Sequence, residues 1–184
     1  MKPYALALAA RLAVTLAATL AFTAGFSGPA AAGEQFVDSS GYAVSGYDVV
    51  AYRGLAQSEI GQSQPAAVPG KAAITAEYNG AVFAFSSEEN RAEFVANPAY
   101  YAPQYDGHCA YGVSRGGKVP GNPHLWRIVD DKLYLNITEN VAGFWQQDIP
   151  GNISLAETNW SGIEPDPASD NPIPNFTSPA PDRN

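Results

Sequence analysis

Cysteine is almost absent from this chain of 184 residues, which contains one, Cys109. A single cysteine cannot form a disulfide within the chain, so the stability of the fold must come from a hydrophobic core. Four roles are open for Cys109 itself. It is expected to be a buried apolar residue, a free thiol, a metal ligand or one end of an intermolecular disulfide.

Basic residues are also scarce, because ten lysines and arginines face 18 acidic residues and the formal net charge is −8. No segment has more than two basic residues within five positions, whereas a protein that grips phosphates needs a clustered basic surface. The composition therefore argues against nucleic acid as a partner. The acidity is expected to keep the protein dispersed in solution.

Several motifs of common enzyme classes are missing too. The chain has no G-x-G-x-x-G or Walker loop for nucleotides, no G-x-S-x-G nucleophile elbow and no H-E-x-x-H zinc-protease motif. Nucleotide-binding, hydrolase and metalloprotease functions therefore have no sequence support.

The longest uncharged apolar stretch, residues 12–26, is shorter than the roughly 20 residues that a membrane-spanning helix needs. It follows Lys2 and Arg11 and leads into Ala30-Ala31-Ala32, which fits an A-x-A cleavage site. We predict a signal peptide over residues 1–32, a mature chain that starts near Gly33, and a periplasmic or secreted protein with no integral membrane span after cleavage. An uncleaved N-terminal anchor is the alternative.

Two hairpins are predicted from alternating apolar residues that flank turn-forming pairs. In the first, residues 74–78 and 82–85 pair across Asn79-Gly80, which suits a type I′ turn. In the second, residues 125–129 and 133–137 pair across Asp130-Asp131.

Three helices are expected around these hairpins. Residues 86–89, Ser-Ser-Glu-Glu, resemble a capping box at the start of a helix that continues to Ala96 and ends at Asn97-Pro98. The other two are a helix after Asn136 with Val141, Phe144 and Trp145 on one face, and a helix over residues 153–160 with Gly162 as its C-terminal glycine.

Short units of hairpin and helix favour an α+β fold, with a small antiparallel sheet and helices packed on it, over a doubly wound α/β fold. We expect a single domain over residues 33–163. The last segment, residues 164–184, contains six prolines among acidic and small polar residues and is predicted to be a disordered tail. A proline-rich recognition segment is the alternative for it.

The candidate site is the segment 100–117, which combines four tyrosines with one of the two histidines and with Cys109. Such a loop can gather polar groups around a concavity that aromatic rings line. The ligand-binding residues predicted from the sequence are Asp48, Tyr105, His108, Cys109, Tyr111 and His124.

Thiolate and imidazole together suit copper or zinc, so Cys109, His108 and His124 are the predicted metal ligands. Adjacent side chains of an extended segment point to opposite sides, so His108 and Cys109 share one ion only if the backbone turns sharply. In the alternatives, Cys109 is a nucleophile activated by a histidine or a buried structural cysteine. For Asp48, a turn cap and a pocket acid are both possible roles. The tyrosines have a packing role as their alternative.

Four features follow one another along the chain: a tyrosine-glycine hairpin at Tyr78-Asn79-Gly80, an aromatic strand over residues 83–87, Phe94, and a final Asn97-Pro98 with Tyr101. This order resembles the YHS domain. Flanking residues 46–52, 103–110 and 133–136 resemble stand-alone exported YHS proteins of bacteria, so the resemblance covers most of residues 41–160. It implies a small α+β module that is suspected of binding metal.

In many YHS modules, cysteines follow the aromatic strand and recur four residues later; here those positions are Ser86 and Asn90. A cysteine near the start of the module is also missing from residues 46–50. We therefore expect an exported, non-enzymatic binding module that holds a small ligand or a metal ion near the His108-Cys109 loop. The alternatives are an enzyme that uses cysteine and histidine, and a structural or partner-binding envelope protein.

Overall fold

The computed structural model describes residues 33–178, so the predicted signal peptide and the last six residues lie outside the described range. The described residues belong to one compact unit with an α+β fold, as predicted. The elements are β1 (Lys71–Tyr78), β2 (Ala81–Phe85), α1 (Glu88–Ala96), α2 (Pro98–Tyr101), α3 (Ala110–Ser114), β3 (Asn122–Val129), β4 (Lys132–Asn136), α4 (Glu139–Gln146) and α5 (Ile149–Ile163), with 3-10 turns at Val44–Gly46, Ala51–Gly54 and Gln104–Gly107.

Both predicted hairpins are present, but they form two separate two-stranded antiparallel sheets rather than one sheet. The first turn has φ of 49° at Asn79 and 76° at Gly80, and the second has 48° at Asp130 and 60° at Asp131. Type I′ turns require positive φ at both central residues, and Asn, Asp and Gly tolerate it best. Local turn chemistry therefore determines the register of each pair.

The start of α1 lies one residue later than the predicted capping box. Ser87, not Ser86, is the N-cap residue, and its hydroxyl accepts a hydrogen bond from the Asn90 amide at 3.2 Å. The Ser86 hydroxyl instead donates to Asp48, from a different part of the chain. A tertiary contact has thus replaced the local role that the sequence indicated.

The last two helices also differ from their predicted positions. Thr138 is the N-cap residue of α4, and Trp145 is buried while Phe144 is exposed. Asp148 caps α5, which therefore begins before residue 153 and includes Gly162 in its last turn. Within residues 33–178, none of the helices has the length and apolar character that a membrane crossing requires.

Strand β4 separates two hydrophobic clusters. Leu133 and Leu135 belong to one cluster and Tyr134 to the other, because successive side chains of a strand point to opposite faces. The larger cluster includes Val49, Tyr52, Phe83, Phe85, Phe94 and Trp126. The smaller cluster includes Tyr105, Ala110, Val113, Trp145 and Ala156.

The C-terminal segment, defined here as residues 164–178, has neither helix nor strand but differs from the predicted disordered tail. Ile173 is only 6 % exposed, and Phe176 packs against the rings of Tyr47 and His124. Lys118 Nζ donates to the backbone oxygens of Glu164 and Asp166. Proline restricts the unfolded chain, so a proline-rich segment loses less conformational entropy when it docks.

Replacement of Ile173 by Ala should decrease the free energy of unfolding by about 2 kcal/mol, since it removes buried apolar atoms and leaves a cavity. Urea denaturation followed by fluorescence measures this. Leu155→Ala is the matched control, because Leu155 is 47 % exposed and its loss should cost about 0.5 kcal/mol or less. Equal effects of the two substitutions would contradict docking of the C-terminal segment.

Candidate functional site

The residues predicted to form one site lie at three separate places. His108 and Cys109 are next to each other, with Tyr105 and Tyr111, but His124 contacts Tyr47 and Asp48 contacts Ser86. Within residues 33–178, no group of three or more His, Cys, Asp or Glu side chains is arranged to hold a metal ion. The predicted copper or zinc site of Cys109, His108 and His124 is therefore not assembled there.

Asp48 is fully buried and accepts five hydrogen bonds. Its Oδ1 accepts from the amides of Val50 at 3.0 Å and Ala51 at 3.2 Å. Its Oδ2 accepts from the Ser86 amide at 2.8 Å, the Ser86 hydroxyl at 2.6 Å and Asn90 Nδ2 at 2.7 Å. Both carboxylate oxygens are occupied, so Asp48 is a turn cap and a link to α1, not a pocket acid.

The same cluster stands where the YHS resemblance would place cysteines. Ser86 and Asn90 are the two positions named above, and Asp48 comes from residues 46–50, the third. The fold brings these three positions into hydrogen-bond contact. In this chain these positions carry oxygen and nitrogen groups that hydrogen-bond to one another, and none of them carries a thiolate, the soft ligand that a cysteine would supply.

His108 is fully buried and has a hydrogen bond at each ring nitrogen. Nδ1 lies 2.9 Å from the Tyr105 carbonyl oxygen, and Nε2 accepts from the Ser169 amide at 3.2 Å. A carbonyl accepts and an amide donates, so these partners fix the neutral ring with its proton on Nδ1. Burial lowers the pKa of His108 to about 4. The His108 ring therefore links the C-terminal segment to the 3-10 turn Gln104–Gly107.

Cys109 is also fully buried. Its thiol donates to Asn136 Oδ1 at 3.5 Å and accepts from the Gly112 amide at 3.4 Å, which caps α3. Burial raises the pKa of the Cys109 thiol, and neither of the two histidines is hydrogen-bonded to the sulfur. This environment favours the buried structural cysteine over the activated nucleophile.

The two tyrosines of the predicted site have packing roles. The ring of Tyr105 contacts Tyr134 and Trp160, and burial raises the pKa of its hydroxyl. The ring of Tyr111 lies under the Arg115 guanidinium, 4.7 Å from the ring centroid. These side chains build the smaller hydrophobic cluster rather than a cavity wall.

His124 is the predicted site residue that does line a cavity. The Ala67 amide donates to its Nδ1 at 3.4 Å, and its Nε2 lies 3.0 Å from the Tyr47 hydroxyl oxygen. Since Nδ1 accepts, Nε2 carries the proton of the neutral ring. Burial lowers the pKa of His124, which favours this neutral form.

The cavity has a volume of about 190 Å³ and lies between the loop 61–64, the β3–β4 sheet and α4. Arg127 and Asn136 reach it from the sheet, and Asn136 is the residue that accepts from the Cys109 thiol. The walls are both aromatic and polar. Residues around it include Gln64, His124, Trp126, Arg127, Asn136 and Trp145.

Three of the residues that line the cavity each have a buried hydrogen-bond donor without a partner: Gln64 Nε2, Arg127 Nε and Trp145 Nε1. Arg127 is 6 % exposed and Trp145 is 1 % exposed. Buried polar groups without a partner are rare, because each costs about 1–3 kcal/mol relative to a satisfied one. Their concentration around one cavity marks a place suited to a ligand with acceptor atoms.

The loop over the cavity is held by polar contacts to the sheet and to α4. Trp126 Nε1 donates to the Pro65 carbonyl at 3.0 Å, and the Arg127 guanidinium donates to the Ser58 carbonyl at 3.1 Å through Nη2. The Gly61 amide donates to Gln146 Oε1 at 2.8 Å. The cavity is therefore built before any ligand arrives.

Sequence reasoning did not find the residues of this cavity other than His124. One signal was available: Arg127 interrupts the apolar strand between Trp126 and Ile128, and a charged residue in a buried strand needs an explanation. Gln64 and Trp145 offered none, because a loop glutamine and a helix tryptophan are ordinary. Their common location arises from tertiary packing.

Comparison with known proteins adds no relationship. No protein-family model matches the chain, and no curated protein or solved structure is significantly similar to it.

Asp48→Ala should decrease the free energy of unfolding by about 3 kcal/mol or more, because it leaves the buried amide of Val50 and the partly buried donors of Ser86 and Asn90 without an acceptor. Thermal or urea unfolding measures the loss. Asp130→Asn is the control: it also removes one carboxylate, but at an exposed turn position with positive φ that asparagine tolerates. A similar small effect of both substitutions would refute the central role of Asp48.

Acidification should destabilise the fold through His108. Its pKa in the folded state is about 4, below the roughly 6.5 of an unfolded histidine, so the unfolded chain binds more protons between these values. Stability is then complete above pH 6.5 and falls towards pH 4, by up to about 3 kcal/mol. Urea unfolding from pH 7 to pH 4 tests this in the unsubstituted protein and in His108→Gln. In the variant, the part of the pH dependence of the unfolding free energy that comes from His108 should vanish. Parallel pH profiles would show that His108 does not titrate this way.

Proposed function

We propose that this protein is an exported, non-enzymatic binding module of YHS-like type that holds a small organic ligand with acceptor oxygens. The ligand occupies the cavity beneath the loop 61–64. The observation that carries this proposal is the group of three unpaired donors on its walls, Gln64 Nε2, Arg127 Nε and Trp145 Nε1.

A carboxylate fits this donor set best. Arginine and amide or indole N–H groups donate and do not accept, so the matching group on a ligand is an oxygen acceptor. Burial lowers the pKa of Arg127, against an opposing effect of Glu59, and an anion in contact would compensate the buried charge. The rings of Trp126 and Trp145 offer apolar contact to the rest of the ligand.

The volume limits the size of the ligand. A cavity of about 190 Å³ is suited to a small organic molecule. Small carboxylates, from acetate to a compact aromatic acid, are of this size class.

Binding is favoured over catalysis because the groups with reactive side chains are already committed. The Cys109 thiol is buried and bonded to Asn136, and His108 is engaged at both nitrogens. An enzyme that uses cysteine and histidine would need the two in contact. A structural or partner-binding envelope protein remains the alternative, and it would leave the cavity without a specific ligand.

The location outside the cytoplasm is part of the same proposal. It is supported by the charged start, the short apolar stretch 12–26 and Ala30-Ala31-Ala32. The acidic composition and the lack of a clustered basic segment argue against nucleic acid as a partner. A soluble, acidic binding module suits the periplasm or the external medium.

Titration of the protein with acetate, propionate and benzoate should shift one tryptophan indole N–H resonance, that of Trp145. The chain has three tryptophans, and Trp126 Nε1 is bonded to Pro65, so its resonance should move much less. Two-dimensional ¹H–¹⁵N NMR resolves the three signals. Matched amines such as ethylammonium should cause no saturable shift.

Gln64→Glu should weaken benzoate binding at least tenfold, because it replaces the amide donor by an acceptor and adds a negative charge. Gln147→Glu is the charge-matched control, because Gln147 is exposed and is not among the residues that line the cavity; it should change affinity less than about threefold. Trp145→Phe removes the indole donor while it keeps an aromatic ring, and should also weaken binding. Saturable binding that is unchanged in both Gln64→Glu and Trp145→Phe, or no binding of any acid, would refute the proposed site.

A further inference from the structure

Gly33, the residue that follows the predicted cleavage site, is buried and held at both of its backbone polar groups. Its amide nitrogen donates to Glu164 Oε1 at 3.2 Å, and its carbonyl accepts from Asn79 Nδ2 at 2.8 Å. The backbone of Gly33 thus joins the β1–β2 turn to the start of the C-terminal segment. These contacts place its nitrogen beside a carboxylate.

A second carboxylate, that of Asp106, faces the same residue. A Cβ atom built on Gly33 would lie 2.4 Å from Asp106 Oδ2 and 2.8 Å from Glu164 Cγ, so there is no room for a side chain. Asp106 Oδ1 accepts from Gln35 Nε2 at 2.5 Å, but Oδ2 is buried without a hydrogen-bond partner. The α-carbon of Gly33 therefore sits between two carboxylates, one of which has an unused oxygen.

The described chain places no side-chain cation in an ion pair with either carboxylate. Its three ion pairs involve other residues, and Lys118 Nζ donates to the backbone oxygens of Glu164 and Asp166. Burial, with Glu164 as the second cause, raises the pKa of Asp106 to about 6. An amide N–H at Gly33 leaves this cluster with more negative charge than positive.

We propose that Asp106 and Glu164 form a receptor for a primary ammonium group, and that this group is the new N-terminus of the chain itself, created by cleavage between Ala32 and Gly33. A separate signal-removing protease would hydrolyse this bond with one water molecule. The carbonyl carbon of Ala32 gains the oxygen and becomes a carboxylate, while the nitrogen of Gly33 keeps its α-carbon and becomes an ammonium group. No oxidation or cofactor is involved.

The conversion changes the contact at Gly33 from a neutral hydrogen bond to a charge-assisted one. The ammonium group has three donors, so it can keep Glu164 Oε1 and also reach the unused Oδ2 of Asp106. The Phe36 amide already donates to the Asp106 carbonyl oxygen at 2.8 Å, which holds the two segments in register. Cleavage thereby strengthens the attachment of the N-terminal and C-terminal segments to the same turn.

The first test is the intact mass of the exported protein, which should correspond to a chain that starts at Gly33. The purified protein is then acetylated at its α-amino group while unfolded in urea near pH 6.5, where lysines are protected by their higher pKa, and refolded beside a mock-treated sample. Acetylation should increase the unfolding equilibrium constant at least about tenfold. A different first residue, or equal constants for both samples, would overturn the proposal.

The variant Asp106→Asn with Glu164→Gln separates this ion pair from a packing effect of the acetyl group. In this double variant acetylation should change the unfolding constant no more than about threefold. If the double variant does not fold, the titration of Asp106 in the unsubstituted protein decides, followed by ¹³C NMR of its carboxyl carbon. The midpoint should be lower with the free amine than with the acetylated one, and equal midpoints would overturn the proposal.

Discussion

Burial of β4 on both faces is the constraint on which the rest of the structure depends. Leu133 and Leu135 belong to one hydrophobic cluster while Tyr134 belongs to the other, so both clusters include side chains of the hairpin β3–β4. The strand ends in Asn136, whose side-chain oxygen accepts from the Cys109 thiol and from the Tyr111 amide. One short strand thus carries the core and also joins the tyrosine-rich segment to the cavity.

The polar residues of the interior serve two different purposes. Asp48 and His108 are satisfied, with every carboxylate oxygen or ring nitrogen bonded, and they tie distant segments together. Around the cavity the opposite holds, since Gln64, Arg127 and Trp145 keep donors without partners. Satisfied buried groups stabilise a fold, whereas unsatisfied ones cost stability.

Prediction from the sequence succeeded where neighbours along the chain decide the outcome. The Asn79-Gly80 and Asp130-Asp131 turns and the end of α1 at Asn97-Pro98 were found, because they rest on backbone preferences of those residue pairs. It failed at Ser86, because the Ser86 hydroxyl does not cap the helix but donates to the carboxylate of Asp48, 38 residues away. It also gave no indication that Ile173, within the segment predicted to be a disordered tail, is buried.

The sequence by itself determined the α+β class, the two hairpins and the absence of an internal disulfide. The tertiary structure alone decided that His108 and Cys109 are core and that the cavity lies beside His124, Arg127 and Trp145. The physical reason is the distance along the chain over which each interaction acts. Turns and caps depend on residues within about four positions, whereas an unpaired donor is defined by what every other segment leaves around it.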